Sequence, residues 1–193
     1  TSSQQIIENA QVLINKKLFL LAHEQVSEAL VASPNDPALL LTLGQIYYEY
    51  KDYLAAAKSL EHILRIDPDN PDILHKAALN HTMSGNTERG EEFAKKFLGL
   101  SNYAPHGWQL LANIYEKTGR IEEARDSISH VPDTDQYVEA NISVKSKLLY
   151  AEKEYDQAID LLKEYQEWVK GSKRKNLSSD DKMRVDLLFQ LVK

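Results

Sequence analysis

The chain has 193 residues, 42% hydrophobic and 27% charged, the balance of an ordinary globular protein, and it is long enough to bury a core. It contains no cysteine, which excludes disulfides, thiolate metal sites and thiol catalysis. A formal net charge of −6 argues against a nucleic-acid footprint, which needs a basic face, and no apolar run approaches the roughly 20 residues of a membrane-spanning helix.

The opening Thr1-Ser2-Ser3 carries no signal-peptide pattern and no initiator methionine, and reads as the start of an excised or processed chain. Further along, Pro37, Pro71 and Pro105 stand 34 residues apart. Extended in both directions, this register divides 3–172 into five blocks without insertion: 3–36, 37–70, 71–104, 105–138 and 139–172. The eighth place of each block holds a small residue: Ala10, Gly44, Ala78, Ala112 and Ser146. So does the twentieth: Ala22, Ala56, Gly90, Ala124 and Ala158. Larger apolar groups recur at the fourth place, with Ile6, Leu40, Leu74, Trp108 and Ile142. That spacing predicts two amphipathic helices per block, with small residues where the two backbones approach each other.

Turn-like pairs separate the predicted helices: Lys51-Asp52, Gly85-Asn86 and Gly119-Arg120. Helix breakers separate the blocks, as in Ser33-Pro34-Asn35-Asp36-Pro37 and Asp67-Pro68-Asp69-Asn70-Pro71. Pro132 arrives early and should cost the second helix of the fourth block about a turn, and Gly99 should fray the end of the helix before it. After the fifth block the register breaks. Residues 173–193 are expected to form a basic loop and a C-terminal helix that starts at Ser178-Ser179-Asp180-Asp181, the beginning of a further repeat.

No phosphate-binding glycine loop, nucleophile elbow or zincin motif occurs, so no enzymatic activity, cofactor or metal is expected. His81 takes a place held elsewhere by Tyr or Leu and reads as a packed core histidine. His23, His62 and His130 fall on second helices and read as surface or half-buried. A metal shared by His75 and His106 would need two more ligands, and Asp72 is the one nearby candidate. The adjacent acids Glu91-Glu92 and Glu122-Glu123 cannot face one another on a helix and read as solvated faces.

The pattern resembles the tetratricopeptide repeat family. The second block carries Leu40, Leu43, Gly44, Tyr47, Ala56 and Pro68 in the family's places, and the fourth carries Trp108, Leu111, Ala112, Tyr115, Gly119 and Ala124. The first keeps Ala22, Ala29 and Pro34. The resemblance implies an all-α, right-handed solenoid of five 34-residue helix-turn-helix repeats plus a trailing helix. It also implies a concave wall built from the exposed faces of the first helices.

That wall is the expected peptide-binding groove. Its lining in this register includes Leu41, Gln45 and Tyr48, then His75, Leu79 and Met83, then His106, Gln109, Leu110 and Asn113, and finally Tyr150. Some members of the family clamp the carboxylate tail of heat-shock chaperones with basic side chains. Here the first basic place holds Ile7, Leu41, His75, Gln109 and Ser143, so that clamp is not expected. The resemblance implies a non-catalytic scaffold for another protein or peptide segment, with no nucleic-acid or membrane partner and an oligomeric state left open. A second reading makes the chain the repeat arm of a larger bacterial enzyme of sulfotransferase or glycosyltransferase type. RNA reading by pentatricopeptide-type repeats conflicts with the 34-residue period and the acidic charge.

Overall fold

The computed structural model describes residues 2–100, 104–134 and 136–171. Among them are ten α-helices and no strand: α1 (Ser3–Asn15), α2 (Phe19–Ala32), α3 (Pro37–Glu49), α4 (Tyr53–Ile66), α5 (Pro71–Met83), α6 (Thr87–Leu100), α7 (Ala104–Lys117), α8 (Ile121–Ser129), α9 (Val138–Ala151) and α10 (Tyr155–Gly171). The loop and trailing helix expected over 173–193 lie outside the described residues. The chain divides into two compact units, Thr1–Asn102 with α1 to α6 and Tyr103–Lys193 with α7 to α10.

Local chemistry sets where the helices begin. Asp36 precedes Pro37, and its carboxylate accepts from the Ala38 and Leu39 amides, while Asn70 precedes Pro71 and accepts from the Ile73 amide. In both, the proline occupies a position whose N–H would be unpaired anyway, and the cap satisfies the next donors. Asp52 and Asn86 do the same for α4 and α6, accepting from the Ala55 and Arg89 amides.

One turn closes all five helix pairs. Lys17, Lys51, Gly85, Gly119 and Lys153 all have positive φ, between 59° and 92°. At each, the residue's own amide donates to the carbonyl three back, and the next amide donates to the carbonyl five back. In the second pair, for instance, Lys51 donates to Tyr48 and Asp52 to Tyr47. This is a Schellman turn, which needs the left-handed conformation at its pivot. Two pairs fill the pivot with glycine. Three force lysine into it, at a conformational cost of about 1–2 kcal/mol each.

Within each unit the helix pairs close on the small residues. Ala10, Ala22, Ala56, Ala78, Ala112, Ala124, Ser146 and Ala158 are fully excluded from solvent, and Gly44 and Gly90 are buried. Large side chains fill the space beside them: Leu39, Leu40, Ile46, Leu60 and Ile63 in the second pair, Leu74, Phe93 and Phe97 in the third, and Leu111, Ile114 and Ile128 in the fourth.

α8 spans 9 residues against 14 for α2, α4 and α6, so Pro132 shortens it as expected. Gly99 does not fray α6, which runs through it to Leu100. The propensity cost of one exposed glycine, about 1 kcal/mol, is offset by Phe93 and Phe97, which hold the last turns to the core. His81 is buried as expected. Its Nε2 lies 3.1 Å from Glu61 Oε1, its ring stacks on Phe93, and Arg89 closes the network from the other side of Glu61.

Candidate functional site

In the first unit, α3 and α5 present their exposed faces side by side. A cavity of about 280 Å³ opens between them, lined by Leu41, Gly44, Gln45 and Tyr48 of α3, Leu60 of α4, and Lys76, Leu79 and Asn80 of α5. Four of the expected groove residues, Leu41, Gln45, Tyr48 and Leu79, therefore surround one concavity. Helical spacing explains why. Leu41, Gln45 and Tyr48 fall at intervals of four and three along α3, and Lys76, Leu79 and Asn80 at intervals of three and one along α5.

The wall is mostly hydrocarbon. Leu41 and Leu79 are half-buried, and Gly44 bears no side chain, so the floor reaches down to Leu60 of the second helix. The rim is polar. Gln45 is exposed, and Tyr48, 38% exposed, meets Tyr53 edge-on with ring centroids 5.7 Å apart. Partial burial, then the neighbouring Tyr53 hydroxyl and the Glu49 carboxylate, push the Tyr48 phenol above its ordinary pKa. It therefore stays protonated, a neutral donor at the lip. Lys76 turns its ammonium to Asp72, 2.7 Å away, so the charge beside the cavity is already balanced.

The other expected groove residues are placed differently. His75 is half-buried, with its ring 5.2 Å from Phe97 of α6, and Met83 is exposed at the C-terminal end of α5. In the second unit, His106 packs edge-on to Tyr137, and Gln109 and Asn113 are half-buried. Tyr150 is exposed and meets Tyr155 edge-on at 5.4 Å, repeating the Tyr48–Tyr53 contact in the same register. Leu110 departs from the expectation: at 6% exposed it belongs to the core beside Leu111 and Ile114 rather than to an open wall.

A larger cavity of about 510 Å³ lies in the second unit between α8, α9 and α10. Its rim is charged, with Arg125 paired to Glu122 and Glu152. Arg125 is thus committed to ion pairs, and the rim is more charged than that of the α3–α5 cavity, so size alone does not make it the better site. Among the described residues no group of three or more His, Asp or Glu side chains could hold a metal ion, and no helix is long and apolar enough to cross a membrane.

Gly44, Leu60, Lys76 and Asn80 complete the lining outside the expected groove set, and Asn80 is the buried polar one among them. A signal was present. The tenth place of the blocks holds Val12, Ile46, Asn80, Ile114 and Leu148, one polar residue in an aliphatic column.

The family model of the tetratricopeptide repeat matches residues 37–70 and 105–131. No curated protein matches the chain by sequence. Among solved structures, MamA residues 41 to the end from Desulfovibrio magneticus RS-1 is 12% identical with a TM-score of 0.76, and the match covers 88% of this chain and 96% of that one. A tetratricopeptide repeat protein from Parabacteroides merdae ATCC 43184 is 13% identical with a TM-score of 0.75, covering 97% and 76%. YrrB, described as a TPR protein with an unusual peptide-binding site, is 13% identical with a TM-score of 0.66, covering 97% and 88%. Identities this low establish the shared fold and nothing finer.

Proposed function

We propose that this chain, which carries tetratricopeptide repeats, is a non-catalytic scaffold that holds an extended segment of a partner protein against the exposed faces of its first helices. The observation that carries the proposal is the apolar cavity between α3 and α5 with its polar lip. A peptide laid across it buries a side chain against Leu41, Leu60 and Leu79, while Gln45 and the Tyr48 hydroxyl pair its backbone. Such a layout suits recognition of an extended chain, in which a few anchors supply most of the affinity and the rim excludes water. The charged residue in its lining, Lys76, is committed to a structural pair with Asp72, which favours binding over proton transfer. The peptide-binding description of YrrB supports the reading by analogy of fold.

The test starts from peptides selected from a random library for binding to the whole chain. A variant with Tyr48→Ala and Leu79→Ala should lose about 2–4 kcal/mol of affinity for those peptides, the usual weight of two anchors. Its circular dichroism should match the parent, because Tyr48 is exposed and Leu79 only half-buried. Charge reversal at Glu91 and Glu92 on α6 serves as the control. Loss of binding in the α6 variant, with binding retained in the groove variant, would overturn the proposal.

A further inference from the structure

Three columns of the repeat change character together in the first two blocks. The fourteenth place holds Lys16 and Tyr50 there, against Ser84, Thr118 and Glu152 later. The fifteenth, the pivot of the turn, holds Lys17 and Lys51, against Gly85, Gly119 and Lys153. The eighteenth holds Leu20 and Leu54, against Glu88, Glu122 and Asp156. An acid in the first turn of a helix suits the helix dipole, and the last three blocks use one. The first two expose leucine instead: Leu20 is 79% exposed, and Leu18, Leu21, Tyr50 and Leu54 are exposed as well. These side chains are not scattered. Phe19 and Leu20 of α2, with Tyr50 and Asp52 of the α3–α4 turn, line one concavity of about 170 Å³, and the Phe19 and Tyr50 rings meet edge-on at 6.3 Å. The polar groups at its floor are bonded to each other, His23 Nε2 lying 2.9 Å from the Tyr47 hydroxyl.

A cluster of large exposed apolar groups on one edge marks a contact surface, and the charge around it selects the partner. Lys16, Lys17 and Lys51 are exposed in the two turns and form no ion pair among the described residues. The one acid in those turns, Asp52, is occupied in capping α4. In a chain of net charge −6, this edge is cationic against the trend. We propose that it is a second docking surface, for an acidic segment of a partner protein. One large apolar side chain of that segment fills the concavity beside Phe19, Leu20 and Tyr50, and carboxylates flanking it meet Lys16, Lys17 and Lys51. The apolar contact supplies most of the affinity, and the charges supply selectivity and rate. A small-molecule pocket has about 300 Å³ or more, so this concavity suits a single side chain. A lipid surface would meet the leucines and lysines but has no side chain to fill it. The surface shares no lining residue with the α3–α5 cavity and stands independently of the groove reading.

The experiment uses the whole chain, labelled with ¹⁵N and read by amide chemical shifts. The probe is a pool of capped hexapeptides with Asp or Glu at the outer places and Leu, Ile, Phe or Trp at the two central ones. A control pool carries Asn and Gln in place of the acids. The acidic pool should shift the amides of Lys17, Leu18, Leu20, Tyr50 and Lys51 and leave those of Gln45 and Leu79 in place. The control pool should bind about tenfold more weakly, and added salt should narrow the difference. Leu20→Ser with Tyr50→Ser should weaken binding of the acidic pool about tenfold or more without changing the circular dichroism, because both side chains are exposed. Lys17→Gly with Lys51→Gly separates charge from fold. Glycine accepts the left-handed pivot, so stability should not fall, while binding should weaken about tenfold. Equal binding of the two pools, shifts confined to other residues, or unchanged binding in either double variant would overturn the proposal. Two further outcomes would overturn it by assigning the edge to another occupant. One is cosedimentation with phosphatidylserine vesicles that depends on Leu20 and Tyr50, without peptide shifts. The other is self-association of the chain that the same substitutions abolish, again without peptide shifts.

Discussion

Two glycines in equivalent packing roles should respond oppositely to the same substitution. Gly44 on α3 and Gly90 on α6 both lie in helix interiors at the closing contact of a helix pair. A β-carbon built on Gly44 comes no closer than 3.6 Å to Leu60, ordinary van der Waals contact. Built on Gly90, it falls 2.3 Å from Thr82 Oγ1 and 3.1 Å from the Ala78 carbonyl oxygen. Thr82 has little room to yield, because it is buried and its hydroxyl donates to the Ala78 carbonyl at 2.7 Å. Gly44→Ala should therefore gain the helix-propensity difference, up to about 1 kcal/mol. Gly90→Ala gains the same amount but overpacks the contact at about 1–3 kcal/mol and breaks a hydrogen bond worth about 1 kcal/mol. The net expectation is destabilisation by about 1–3 kcal/mol. Urea titration followed by circular dichroism, at constant slope, measures both. Thr82→Ala should relieve most of the Gly90→Ala penalty, because it removes the atom that is struck. The reasoning fails if Gly90→Ala stabilises the chain as Gly44→Ala does, or if the two substitutions at 82 and 90 are simply additive.

The pivot lysines give a second test. Lys51→Gly removes the cost of a left-handed non-glycine residue and adds the chain entropy of glycine in the unfolded state, so stability should rise by about 0.5–1 kcal/mol. Gly85→Lys should fall by a similar amount, and parallel denaturation curves would check both. The Tyr48 phenol, with its pKa raised, should titrate above the usual value near 10 in an absorbance difference between the parent and Tyr48→Phe. The sign follows from linkage. The folded state holds the proton more tightly, so this contribution to stability is complete below the unfolded-state pKa and is lost as pH rises through the folded one. A Tyr48 phenol that titrates at or below the usual value would contradict its partial burial beside Tyr53 and Glu49.

Much of the architecture was legible because the chain repeats itself, and each block serves as an alignment of the others. Small residues at two fixed places located the helix contacts, and proline with a preceding Asp or Asn located the starts of α3 and α5. The pivots were only partly legible. Gly85 and Gly119 announce a left-handed turn, but Lys17 and Lys153 do not, since the conformation there is imposed by packing on both sides against the residue's own preference. Leu110 was misplaced for a related reason. Its place in the block lies at the edge of the apolar stripe, and whether such a residue is covered depends on the neighbouring helix rather than on its own sequence.

The same self-alignment separates the two buried asparagines. Asn141 occupies the third place of its block, where Leu39, Ile73 and Gly107 are buried, and its Oδ1 also accepts no hydrogen bond among the described residues. Its Nδ2 donates to the Pro132 carbonyl, tying α9 to the shortened turn after α8. Pro132 thus gives Asn141 a structural duty in its own block, one that the blocks without an early proline do not need. The cavity beside it is lined by Asp133, Lys145 and Glu164, groups that water can reach and satisfy. Asn80 has no comparable duty. Its one bond is to the carbonyl of its own preceding helical turn, which a leucine would leave to the helix ladder, and its cavity is aliphatic. A side chain that costs stability and closes no structural contact breaks the local pattern without a compensating bond. The distinction is measurable: Asn141→Leu should destabilise the second unit by releasing the Pro132 carbonyl, by about 1 kcal/mol or more. Asn80→Leu should stabilise the first. Stabilisation by both substitutions would show that the Asn141 bond to the Pro132 carbonyl contributes nothing net.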